Sequence, residues 1–264
     1  MSGSARDPPR PLADIAAERS VFTPPAERFR MEDEPIENIS GGDSGGSTAA
    51  DFDRARSGTR AEAVVDRLGG MYWQKRYGGR DGFECLVRTI LSQNTSDVAS
   101  QPAHDALMER YGGDLAANLA DAAQPELAET ISSAGLYNQK SERIIAIAER
   151  VREEYGDASG FDRFVREEPP SEVRETLLEM NGVGPKTADC VLLFAGGRGG
   201  VFPVDTHVHR IARRLGLAPA DADHEAVRAA LEAAVPEEKC GFGHTAMIQF
   251  GREYCTARTP ACLE

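Results

Sequence analysis

Two residues nineteen positions apart, Lys186 and Asp205, are of types that could act together on one electrophilic carbon. The chain carries 4 Lys against 26 Arg. A site that needs only positive charge would be filled by Arg in such a sequence. Arg cannot lose its proton, whereas Lys can, and as a free amine it is a nucleophile. An amine that attacks an anomeric carbon displaces the group bound there and leaves a Schiff base on the opened sugar. Asp205, read locally, is the N-cap of the helix in "DTHVHRIARRLGL",. Read with Lys186, its carboxylate stabilises positive charge on the sugar and moves protons. A helix N-terminus and a nearby cation would keep it ionised. His207 is expected to hydrogen-bond near Asp205, and His209 to lie on the surface; the two lack further ligands for a metal. At this level a solvated Lys186 and a purely capping Asp205 stay open.

The elements that must position these groups are helices. In "LLEMNGVGPKTADCVL" one helix ends at Met180, Gly182, Val183 and Gly184 make a tight turn, and Pro185 suits the first position of the next helix,. Such a hairpin aims backbone N–H groups from a helix N-terminus at a phosphate and reads no sequence. Residues 181 to 215 hold five basic residues (Lys186, Arg198, Arg210, Arg213, Arg214) against Asp189 and Asp205, an island of positive charge in a chain of net charge −13. The acidic, Lys-poor composition suggests a salty cytosol, where net charge supports solubility. The five cysteines are irregularly spaced, which argues against a disulfide framework,. No apolar run is long enough for a membrane span, and the first residues lack the apolar stretch of a secretory signal,.

Residues 1–57 read as a disordered acidic tail, with "GGDSGGST" and no sustained period,. From there the pattern is helix upon helix, an all-α chain. "FECLVRTILS" and "SERIIAIAERVREEYG" are amphipathic,. Ser96 and Ser171 are plausible caps, Pro125 a first helical residue, Pro102 a disturbance in a second turn, and "GLYNQK" a turn,.

The hairpin, the Gly-rich loop and "VDTH" after it, with "ILSQNTSD" and "GLYNQKSERI" before it, resemble the endonuclease III branch of the base-excision DNA glycosylases. The similarity runs from about residue 58 to the end. It implies two helical lobes of the helix-hairpin-helix glycosylase type: residues 58–82 plus 199–264 form one, and 83–198 form a six-helix lobe with the hairpin. The resemblance places Lys186 on the catalytic lysine and Asp205 on the catalytic aspartate. The implied reaction removes an oxidised pyrimidine and nicks the strand 3′ to the abasic site by β-elimination. The implied partner is double-stranded DNA with damaged bases or abasic sites, bound by a cytoplasmic, nucleoid-associated monomer. Gln93, Asn94 and Leu136 match the loops that fill the vacated stack, and His207 and Arg210 join Gly182, Val183 and Gly184 among the DNA contacts. The family pattern ends in four cysteines that hold a [4Fe–4S] cluster. Cys255 and Cys262 have the first spacing, and only these two of four ligands lie within the chain, which is expected to be cut inside the cluster loop. Cys190 and Cys240 read as core. A monofunctional glycosylase and a non-catalytic DNA-binding hairpin protein are the alternative readings; Lys186 argues against the first and Asp205 against the second.

Overall fold

The computed structural model describes residues 51–72 and 78–262. Most of the expected acidic tail, residues 1–50, lies outside these. The described part of that segment makes a 3-10 turn, Arg54–Arg56, and Phe52 packs its ring 4.5 Å from that of Phe242.

All regular structure among the described residues is helical: α1 (Arg60–Gly69), α2 (Gly82–Ser92), α3 (Asp97–Tyr111), α4 (Leu115–Ala120), α5 (Gln124–Thr130), α6 (Tyr137–Tyr155), α7 (Ala158–Glu167), α8 (Pro170–Leu178), α9 (Pro185–Phe194), α10 (Thr206–Arg214), α11 (His224–Ala234) and α12 (Glu237–Glu253). Helix starts follow local chemistry. Thr59, Asp81, Asp157, Asp205 and Asp223 each accept backbone N–H groups of the following turn,.

Some starts differ from the sequence expectation. Ser96 stands at the start of α3 without a side-chain cap bond, and α3 continues through Pro102. Ser171 lies inside α8, which begins after Pro169. Helix α5 begins one residue earlier than expected, at Gln124, so Pro125 is its second residue. The turn in "GLYNQK" is confined to Gly135 and Leu136, and Tyr137 already belongs to α6.

Two lobes share one apolar core. Helices α2 to α9 pack chiefly among themselves, with α2 against α9, α7 and α3, and α6 against α4 and α5. Helix α12 packs against α1 and α10 and touches α11. The second lobe is also held by charge. Lys239 on α12, 6% exposed, donates to Glu62 (2.8 Å) and Asp66 (2.7 Å) of α1. The hairpin α8–α9 is also fixed by charge, where Arg174 donates to the buried Asp189 at 2.7 Å and to Glu225 of α11 at 2.8 Å. Burial raises Asp189 to about 6, against the opposing pull of Arg174,.

Candidate active site

Helix α9 starts at Pro185, so Lys186 sits in its first turn, half-buried. Asp205 caps α10. Its Oδ1 accepts from the amides of His207 and Val208, both at 2.8 Å, and its Oδ2 lies 3.0 Å from Nδ1 of His207. Burial alone would raise this carboxyl. The His207 hydrogen bond, the proximity of His244 and the Val208 amide outweigh it, and the net shift is strongly downward. His244 is itself pushed down to about 4 by burial and by Lys186. It is therefore uncharged at neutral pH, and the lasting support for an ionised Asp205 is His207 with the helix amides.

A cavity of about 680 Å³ opens over these groups. Lys186 and Asp205 both line it, together with Gln93, Asn94, Thr95, Gly182, Gly184 and His207. Helix α11 adds His224, Glu225 and Arg228 to the lining, a placement that no local sequence pattern announces. The amine and the carboxylate that the sequence paired thus share one concave site, with a hydrogen-bonded carboxylate ready to accept charge.

In the hairpin, Gly182 has φ +85°, and an added Cβ would lie 2.4 Å from Cδ of Arg143. Gly184 does not share this conformation. Its φ is −99°, ordinary for any residue, and nothing stands within 4 Å of its missing Cβ. The space in front of it, not its backbone angle, suits a glycine. The Val183 amide is used inside the turn, donating to Met180 O at 3.0 Å, and its side chain is buried.

The loop after α2 reaches across to the hairpin, where Gln93 Nε2 donates to Gly182 O (3.0 Å) and Thr187 Oγ1 (3.1 Å). Gln93, expected among the residues that fill the vacated stack, is anchored to the hairpin by these bonds. Asn94 beside it is exposed, with φ 52°. Leu136, before α6, has φ 49° and is 52% exposed. Among the described residues these two are the non-glycine residues with positive φ. Left-handed backbone costs a non-glycine residue free energy and collects at functional sites.

The basic island is largely tied up inside the protein. Arg210 donates to Cys255 O (2.9 Å), Gly251 O (3.1 Å) and Thr206 O (3.3 Å). Arg198 donates to Arg166 O and to Glu168 O (2.8 Å). Arg214 donates to Thr256 O (2.7 Å) and Ala257 O (2.8 Å) and lies 3.4 Å from Cys255 Sγ. Arg210, expected at the DNA, therefore holds the loop after α12. His209 is half-buried rather than superficial. Its Nε2 is 2.9 Å from Ala222 O, and its ring stacks on His224 at 4.2 Å between centroids.

Cys190 and Cys240 are fully buried. Cys255 is half-buried and Cys262 exposed on the segment after α12. Among the described residues no group of three or more His, Cys, Asp or Glu side chains could hold a metal ion. Two thiols do not fit a four-cysteine cluster.

Residues 87–237 match the family described as HhH-GPD superfamily base excision DNA repair protein. Over 184 residues the sequence is 36% identical to endonuclease III of Thermotoga maritima, covering 70% of this chain and 79% of that one. Endonuclease III of Bacillus subtilis is 30% identical, over 77% of this chain and 87% of that protein. The chain belongs to the endonuclease III family. The fold agrees. A trapped endonuclease III–DNA covalent intermediate superposes with a TM-score of 0.64 at 28% identity, covering 77% of this chain and 92% of the other. A non-covalent endonuclease III–DNA complex superposes with a TM-score of 0.63 at 29% identity, covering 75% and 87%. The all-α, two-lobed helix-hairpin-helix glycosylase architecture is therefore the family's. Among the described residues no helix is long and apolar enough to cross a membrane.

Proposed function

We propose that this base-excision DNA glycosylase and abasic-site lyase works through Lys186 as nucleophile and Asp205 as carboxylate partner, on an oxidised pyrimidine turned out of duplex DNA into the cavity between them. The observation that carries the reading is the shared cavity, with Lys186 and an ionised, half-buried Asp205 both on its wall. Flipping the damaged nucleotide exposes its C1′, which stacking otherwise shields. The Lys186 amine attacks C1′ with its lone pair, the bond from C1′ to the base breaks as the N–C bond forms, and the base departs with that bond's electron pair and takes up the proton that the attacking nitrogen loses. Asp205 offsets the positive charge that develops on the sugar. Proton transfer through Asp205 opens the ring and yields the Lys186 Schiff base. Loss of a proton from C2′ then expels the 3′ phosphate and nicks the strand, and water releases the enzyme from the imine.

The rest of the site serves positioning. The amides of Gly184 and Lys186, with open space before Gly184, suit a backbone phosphate,. Asn94 and Leu136 are the residues we assign to the vacated stack, supported by their exposure and backbone conformation. Gln93 joins the stack-filling loop to the hairpin.

The test is borohydride trapping on duplex DNA with thymine glycol or an abasic site. Wild type is expected to give a covalent protein–DNA adduct, and Lys186→Ala none. An undiminished adduct in that variant sinks the assignment.

A further inference from the structure

Lys140 is one of the chain's 4 lysines, and it is buried, 1% exposed, in the first turns of α6. Its ammonium has three N–H donors, and three acceptors meet it: Leu91 O at 2.7 Å, Thr95 Oγ1 at 2.8 Å and Ala134 O at 2.8 Å. Leu91 ends the apolar run of α2. Thr95 directly follows Asn94, and Ala134 lies two residues before Leu136. The Thr95 hydroxyl also contacts Ala134 O, closing a ring of bonds between the two loops. One buried cation therefore ties together the two segments that carry the left-handed Asn94 and Leu136.

We propose that Lys140 is a positioning residue for base extrusion, clamping the Asn94 and Leu136 loops so that both side chains stand ready to fill the stack. The proposal rests on the assignment of those two residues to the stack. Its physical basis is preorganisation. Each loop alone is short and exposed, and each holds an unfavourable backbone angle that only surrounding contacts can maintain. An ammonium is compact enough for a sealed site where a planar guanidinium would not fit. The cost of burying it is visible, since desolvation, with Arg143 one turn along α6, lowers Lys140 to about 8. Among the described residues Arg143 is the charge that acts on it, so the stabilising partners of the ammonium are the two carbonyls and the hydroxyl.

Duplex and single-stranded substrates separate this role from catalysis and from folding. Extrusion from a duplex needs the stack filled, whereas an abasic site in single-stranded DNA needs only the amine and carboxylate. Lys140→Met keeps the length of the side chain and removes its donors. It is expected to lower kcat/KM for excision from duplex DNA by about tenfold or more, with single-stranded abasic-site trapping changed by less than about twofold. 2-Aminopurine beside the lesion should report slower unstacking in the variant. Equal loss on both substrates, or no loss on the duplex, overturns the proposal while leaving Lys186 as nucleophile untouched. Should Lys140→Met not fold, Lys140→Gln removes the charge and keeps only two N–H donors for the three acceptors. It is expected to show the same duplex-only loss at about threefold or more, and an equal loss on both substrates, or none, is equally fatal.

Discussion

Lys186 and Lys140 are the same residue type, one in the first turn of α9 and one in the first turns of α6, and they do opposite things with their nitrogen. Lys186 lines an open cavity opposite a carboxylate that is already hydrogen-bonded elsewhere. Lys140 is sealed, with every donor engaged. A nucleophile needs a free lone pair and a route to substrate; a clamp needs neither. The side chain does not decide between them. Whether the residue is sealed in the core or opens on a cavity does. Lys239 falls with Lys140, closed between Glu62 and Asp66 with Phe52 beneath it.

The largest expected effect that tests this division, beyond loss of Lys186 itself, comes from Asp205. Asp205→Asn keeps an oxygen for the amides of His207 and Val208, so α10 stays capped, but it removes the charge. Turnover should fall about a hundredfold, on duplex and single-stranded substrates alike, with duplex affinity within about threefold. A loss confined to the duplex would make Asp205 a positioning residue like Lys140.

The two hairpin glycines sharpen the comparison with a smaller effect. Gly182→Ala forces a left-handed alanine and pushes on Arg143, costing about 1–2 kcal/mol in urea unfolding,. Gly184→Ala meets no atom and needs no unusual angle, so stability should stay within about 0.5 kcal/mol,. Its methyl would instead stand where a phosphate approaches, and duplex affinity should drop about three- to tenfold. Unchanged affinity in Gly184→Ala would remove the phosphate seat from this turn.

These contrasts show how far the sequence could be read. The helices were legible because apolar period and capping residues are local properties. So was the pairing of Lys186 with Asp205, because a hairpin and a capped helix both present their first turns. The rarity of lysine was only half a signal. It marks places where a compact ammonium is required, and two of the three described lysines use it for holding rather than reacting. The internal bonds of Arg210 and Arg214 were not legible for a different reason. Their acceptors are carbonyls of residues 251 to 257, and no local pattern says which arginine a distant loop will reach. Asn94 and Leu136 carry a conformation that residue type does not announce, and it persists because Lys140, Thr95 and Ala134 surround it.

The smallest effect is a pH dependence that belongs to Lys140 alone. Its folded-state value, about 8, lies below the ordinary 10.5. Between those values the unfolded chain binds the proton and the folded chain does not, so Lys140 makes stability rise with pH across that window. Below about 8 both states are protonated and the contribution is gone. Wild type should therefore gain unfolding free energy relative to Lys140→Met as pH goes from 7 to 10, measured by urea midpoints in matched buffers. Function should move the other way. A neutral amine has two hydrogens for three acceptors, so the clamp slackens, and duplex excision should decline relative to single-stranded trapping above about pH 8. Stability rising while duplex selectivity falls is a pairing that neither a catalytic lysine nor an inert buried one would produce. If the two variants track each other in both measurements, the ammonium at Lys140 has no part in holding the loops.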